Sequence, residues 1–215
     1  MASARGVLVL RAGEAISEVA ACGDFPAWIE RDAAQVWTGS WLERDLRSCD
    51  PLPDPTSVSA IIITGSSSSV TERAPWMLRA EAYVRDVVHA EIPLLGICFG
   101  HQLMGQALGG EVRKNPYGRE IGTVEVRCVE EDLLFDGLAA LFAVNATHVD
   151  SIVELPPGAR VLARTALEPN AVVAFGAVAR GVQFHPEMDA RVLRGYIEAR
   201  QSCLVEERLD VEAIL

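Results

Sequence analysis

Two passages of this chain hold side chains that could break a covalent bond. The first is Pro93-Leu-Leu-Gly-Ile-Cys-Phe-Gly-His-Gln102, in which Cys98 stands midway between Gly96 and Gly100 at the end of an apolar run. A sharp strand-to-helix turn needs residues without a Cβ at those two positions, because the backbone doubles back there. Such a turn lifts the thiol above the carboxyl edge of the sheet, where open α/β sheets bind ligands. It also sets the sulfur at a helix N-terminus, whose dipole favours thiolate. An isolated cysteine is more often a core residue. The glycine spacing is what makes this one a candidate nucleophile.

The second passage is Gly181-Val-Gln-Phe-His-Pro-Glu187. A strand here would deliver His185 at its end, and Pro186 would stop the ladder. Glu187 follows two residues on. A cysteine nucleophile needs an imidazole to take its proton and return it to the leaving amine. The imidazole needs a carboxylate to fix its tautomer. Taken alone, His-x-Glu also reads as a solvated turn or as half of a metal site. With four histidines in the chain and no His-Glu-x-x-His spacing, no metal site is expected. No sequence feature calls for a cofactor.

The elements that must position these residues follow from hydrophobic patterning. Val7–Leu10 reads as a first strand, Phe25–Ala34 as a helix and Gln35–Thr38 as a second strand. Val58–Thr64, with three successive isoleucines, reads as a strand buried on both faces of a parallel sheet. Pro75 fits the first turn of a helix running to about His89. Pro93–Ile97 is a buried strand that runs into a helix over Gly100–Leu108. Glu120–Val129 alternates at period two. Phe142–Thr147, Arg160–Thr165, Ala171–Ala177 and Gly181–Phe184 read as further strands, Asp189–Ala199 as a helix, and Cys203–Leu215 as a terminal helix. The expected fold is α/β, an open and mostly parallel sheet flanked by helices, with extra antiparallel strands in the second half.

Composition bounds the rest. The chain has 215 residues, which suits a single domain over 1–215. Half its residues are hydrophobic and 23% are charged, as in an ordinary globular protein. The net charge of −11 excludes a general nucleic-acid binder and an adsorber on anionic membrane. No apolar run approaches the ~20 residues of a membrane helix. The segment Met1–Arg11 lacks the ~7–15 apolar residues of a secretory leader, so a cytoplasmic location is expected. Five scattered cysteines without a Cys-x-x-Cys pair suggest neither a disulfide framework nor a zinc ribbon. The sequon at Asn145 is then coincidental.

With both passages in view, the sequence resembles the class I glutamine amidotransferases, in their GMP synthetase-like branch. The matching elements are Gly96-Ile-Cys-Phe-Gly-His-Gln102 and Gly181-Val-Gln-Phe-His-Pro-Glu187, in the family's order and separation. Ile62–Gly65 and Thr147–Asp150 also fall where the family has site loops. The resemblance implies a flavodoxin-like, class I amidotransferase sheet. It makes Cys98 the nucleophile, His185 the general base and acid, and Glu187 the orienting carboxylate. It puts the Phe99 N–H in an oxyanion hole, with a second donor from Gly65 or Ser66. Gln102, Ser66, Thr147 and His148 become substrate-binding residues, and His101 is read as structural. The pair Arg119-Glu120 reads as a surface ion pair or as an edge of the pocket.

The implied reaction is cleavage of the γ-amide of glutamine, or of another γ-glutamyl bond, through a γ-glutamyl thioester. Two fates of the product fit equally. The ammonia passes to a separate synthetase subunit, or the protein is a γ-glutamyl peptidase acting alone. A catalytically silent regulatory protein of the same fold is a third reading, opposed by the intact Cys98, His185 and Glu187. A cysteine peptidase or chaperone of related fold is a fourth, and it would lack the late His-Pro-Glu segment. The physiological substrate and the oligomeric state are not written in the sequence.

Overall fold

A computed structural model describes residues 5–215. Residues 1–4, part of the segment weighed above as a leader, lie outside the described residues. The architecture is a mixed sheet of nine strands covered by helices, with a separate two-stranded ribbon. The first half builds the parallel part. Strands β1 (Val7–Arg11), β2 (Trp41–Asp45), β3 (Ala60–Ile63) and β4 (Leu94–Ile97) alternate with helices α1 (Phe25–Ala33) and α2 (Pro75–His89). Helix α3 (Phe99–Ala107) follows β4 with Cys98 as the hinge.

The second half is antiparallel. It comprises β5 (Glu111–Lys114), β6 (Glu120–Cys128), β7 (Leu141–His148), β8 (Asp150–Glu154), β9 (Arg160–Arg164), β10 (Val172–Ala174) and β11 (Ala179–Val182). Helices α4 (Ala190–Ala199), α5 (Gln201–Glu206) and α6 (Val211–Ile214) end the chain. The large sheet has the order β2-β1-β3-β4-β11-β10-β9-β6-β7, and β5 pairs with β8 apart from it. Strand β11 is parallel to β4 and antiparallel to β10, so it joins the two halves. This is the expected α/β sheet, parallel first and antiparallel later.

Local sequence explains the helix starts. Pro75 opens α2, where its missing N–H costs no hydrogen bond. Asp189 caps α4 by accepting the Val192 N–H. One core packs α2 and α3 against the sheet, joining Leu10, Ile61, Ile63, Met77, Phe99, Leu103 and Met104. A second lies on the opposite face, with Val9, Ile97, Val182 and Phe184.

Four local expectations are corrected. The second strand is Trp41–Asp45 and not Gln35–Thr38, whose Val36 is exposed in a turn. The C-terminal segment is not one helix, because it breaks at Arg200 and again between Glu207 and Asp210. Strand β11 stops at Val182, three residues short of His185. The backbone is carried on instead by a bridge to β7, in which the His185 N–H donates to the Asn145 carbonyl at 2.8 Å. Arg119 and Glu120 do not pair with each other. Arg119 bonds Glu207, whereas Glu120 is buried and bonded to His148.

Candidate active site

The sheet brings the two sequence passages together at the carboxyl ends of β3, β4 and β11. Cys98 follows β4 directly and has φ 49° and ψ −101°. A non-glycine residue with positive φ costs about 1–3 kcal/mol and persists only where its surroundings fix it. Here the fixing contacts are the Cys98 N–H, donated to the Val182 carbonyl at 2.8 Å, and the Cys98 carbonyl, which accepts from Gln102. The turn would not close with larger neighbours. A Cβ on Gly96 would lie 2.6 Å from the Gly100 carbonyl carbon, and one on Gly100 would lie 2.5 Å from the Ile63 carbonyl oxygen.

His185 and Glu187 are both buried, and Nδ1 of the ring lies 2.7 Å from Oε1 of the carboxylate. Phe25 stacks on the imidazole at 6.0 Å between centroids, and Arg31 holds the Glu187 carbonyl at 3.1 Å. Burial alone would pull the imidazole's pKa down. The Glu187 charge, then the nearby Cys98 sulfur, outweigh burial and push it up to about 10. The ring therefore carries its proton at neutral pH, between a carboxylate and a sulfur.

Beside Cys98 lies a cavity of about 360 Å³, lined by Ser66–Ser69, Phe99, Gln102, Arg119, Thr147–Asp150 and Arg200. Phe99 begins α3, and its N–H finds no acceptor among the described residues, as is usual for the first residues of a helix. The Gly65 N–H finds none either, while the Gly65 carbonyl accepts from the Thr64 hydroxyl at 3.0 Å. Gly65 itself packs against His185 and lies outside the cavity wall.

Gln102 reaches the cavity, but both hydrogens of its amide nitrogen are engaged. They go to the Asp150 carbonyl at 2.8 Å and to Gln183 Oε1 at 3.0 Å. What Gln102 offers a ligand is its carbonyl oxygen. Ser66 and Thr147 stand on the wall. His148 also touches it, yet its ring nitrogens meet the Asp150 carbonyl at 3.0 Å and Glu120 at 3.1 Å. His148 thus braces the wall. His101 is fully buried, and burial followed by the nearby His148 pushes its pKa down to about 3, so it is a neutral packing residue.

Two residues of the site, Gln183 and Arg200, were given no role in the sequence reading, and Asp150 entered it only as the end of a site-loop stretch. Gln183 is buried and holds Gln102 in place. It lies inside the second passage, where its position before Phe184 was the available signal. Asp150 closes the Thr147–Asp150 stretch and accepts from the Ser69 hydroxyl. Arg200 comes from the break between α4 and α5, and no motif marks it.

Among the described residues, no helix is long and apolar enough to cross a membrane. The family model for glutamine amidotransferase class-I matches residues 42–200. One subunit of the glutamine-hydrolyzing GMP synthase of Saccharolobus solfataricus is 35% identical over 141 residues, covering 64% of this chain and 72% of that one. The glutamine-hydrolyzing GMP synthase of Aeropyrum pernix is 36% identical over 130 residues, and the match spans only 24% of its length. A crystal structure of a glutamine amidotransferase from Thermotoga maritima superposes with a TM-score of 0.76 at 24% identity, covering 98% of this chain and 89% of that one. This chain belongs to the glutamine amidotransferase class-I family.

Proposed function

We propose that the chain, acting as one amidotransferase domain over 1–215, hydrolyses the γ-amide of glutamine or of a related γ-glutamyl compound at Cys98. One observation carries this reading: a buried Glu187 carboxylate 2.7 Å from a His185 ring that also neighbours the Cys98 sulfur.

In the proposed mechanism the Cys98 thiolate attacks the γ-carbonyl carbon, and the C–O π electrons move onto oxygen. The Phe99 and Gly65 N–H groups donate to that oxyanion, and losing one such donor costs roughly 3 kcal/mol of barrier. His185 gives its proton to the departing nitrogen as the C–N bond breaks, leaving a γ-glutamyl thioester and ammonia. His185 then takes a proton from water, whose oxygen attacks the thioester. The C–S bond breaks, releasing glutamate and the thiolate. Glu187 holds the ring's tautomer throughout.

Ammonia release from glutamine by the purified protein, compared with Cys98→Ala, tests the proposal. Turnover should vanish in the variant while the far-UV spectrum and unfolding midpoint persist. Unchanged hydrolysis by Cys98→Ala removes the assignment.

The relatives that are single subunits of a GMP synthase favour a second element, a separate synthetase chain that takes up the ammonia. In that case hydrolysis by the isolated chain is slow, and a partner fraction raises it. Full activity without a partner supports a γ-glutamyl hydrolase acting alone.

A further inference from the structure

The cavity wall carries two guanidinium groups with different partners. Arg119 is matched: Nε lies 2.7 Å and Nη2 3.0 Å from the two Glu207 oxygens, a bidentate pair. Arg200 is not matched. Its Nη1 donates to the Tyr196 carbonyl at 3.3 Å, and its guanidinium lies 4.7 Å over the Tyr196 ring. Among the described residues no carboxylate lies within salt-bridge reach of it.

The chain puts this cation here by a break in its own helix. Arg200 has φ −106° and ψ 7° and joins the end of α4 to the start of α5, its N–H donating to the Ile197 carbonyl at 3.1 Å and its own carbonyl accepting from the Leu204 N–H, so the chain turns there and the side chain enters the cavity wall. Tyr196, one turn earlier, supports the stem from below. Burial lowers the Arg200 pKa, and the nearby Arg119 lowers it further. An anion arriving in this wall would relieve that repulsion.

The other charges in the wall are few. Asp150 is its one carboxylate, held by Ser69 next to the carbonyl oxygen that Gln102 presents. The wall thus offers one acceptor corner, at Asp150 and Gln102, and one unmatched donor, at Arg200. A γ-glutamyl head carries one ammonium and one carboxylate, three carbons from the carbonyl that Cys98 would attack. His185 does not line this cavity. The cavity therefore suits the acyl side of a substrate, with the leaving nitrogen lying toward the imidazole.

We infer that Arg200 binds the α-carboxylate of the γ-glutamyl substrate and makes the enzyme require a free amino-acid head. The inference rests on the reading of Cys98 given above and adds the group that selects the substrate class.

The test is calorimetric binding of glutamine and of glutamine α-amide to Cys98→Ala, alone and combined with Arg200→Gln, Arg200→Ala or Arg200→Lys. Glutamine should bind at least about tenfold more tightly than its α-amide, as a charge-assisted pair predicts. Arg200→Gln and Arg200→Ala should erase that preference by weakening glutamine alone, and Arg200→Lys should restore part of it. In the wild-type background, the same changes should raise KM with kcat nearly unchanged.

Equal binding of the two ligands, an equal loss of both on Arg200→Gln, or no glutamine binding by the folded protein would overturn the inference. The two readings fail separately. Selective, Arg200-dependent binding without hydrolysis by wild type would sink the chemistry alone. Cys98-dependent hydrolysis indifferent to Arg200 would sink only the carboxylate clamp.

Discussion

A Cβ added to Gly65 would stand 2.7 Å from Cε1 of His185, closer than side-chain carbons approach in folded proteins. The imidazole cannot easily retreat. Phe25 stacks on its face and Glu187 holds Nδ1. Gly65 is therefore a close-approach position, needed bare so that the loop after β3 can lie against the ring. Gly65→Ala should push the ring off the sulfur. A misplacement near 1 Å costs roughly a hundredfold in rate. The kcat of the proposed glutaminase reaction should fall by about that factor while the unfolding midpoint moves little. A variant with normal kcat would show that the loop tolerates the methyl and that the contact has no catalytic meaning.

The His185–Glu187 contact makes a claim about pH. The folded protein holds the His185 proton more tightly than the unfolded chain does, because Glu187 and Cys98 outweigh burial. That contribution to stability is complete below the unfolded histidine pKa, about 6.5. It fades as pH rises through the folded value of about 10. Thermal midpoints should decline between those limits in wild type. Glu187→Gln removes the largest charge that raises the ring's pKa, so the decline should still begin near the unfolded histidine pKa but end at lower pH and total less. The same variant should lose less activity than His185→Ala, because it leaves the proposed proton carrier in place. Identical pH–stability curves for wild type and Glu187→Gln would refute the coupling.

Behind the cavity, Glu120 accepts from both His148 and the Thr165 hydroxyl in a buried setting. Glu120→Ala would strand the buried His148 ring nitrogen, at about 1–3 kcal/mol, and remove the acceptor of the half-buried Thr165 hydroxyl. We expect a loss of at least about 2 kcal/mol in denaturant unfolding. Binding of glutamine to the surviving folded fraction should also weaken, since His148 braces Asp150. A loss under about 0.5 kcal/mol, the range of ordinary surface substitutions, would return Glu120 to the status of a surface carboxylate.

How far the sequence discloses this arrangement depends on where the signal sits. Cys98, His185 and Glu187 were legible because each lies in a short contiguous passage whose glycine and proline spacing has a backbone reason. The buried strands β3 and β4 were legible from uninterrupted apolar runs. Strand β2 was not. It lies at the sheet edge with Leu42, Glu43 and Arg44 exposed, so no apolar period marks it. Arg119 and Glu120 are adjacent in sequence and opposite in charge, which suggested a pair. Arg119 lies in the turn before β6 and Glu120 begins that strand, so the first reaches the cavity wall while the second turns to the interior. Arg200 depends on the end of α4 returning to the β4–α3 turn, and no local pattern encodes such a meeting.

The strand-to-helix turn at Cys98 offers a last test, because its geometry depends on backbone alone. A methyl on Gly100 would meet the Ile63 carbonyl oxygen at 2.5 Å and the Ile63 Cβ at 2.9 Å. Neither atom is the free end of a side chain, so relief requires α3 to move away from β3. Overpacking of this kind costs about 1–3 kcal/mol. Moving α3 also shifts the Phe99 N–H relative to the carbon that Cys98 would attack, so kcat should fall beyond what lost stability explains at temperatures where the variant is fully folded. Activity normalised to the folded fraction separates the two effects. If normalised kcat equals that of wild type, the close packing of Gly100 on β3 supports the fold without setting the geometry of Cys98.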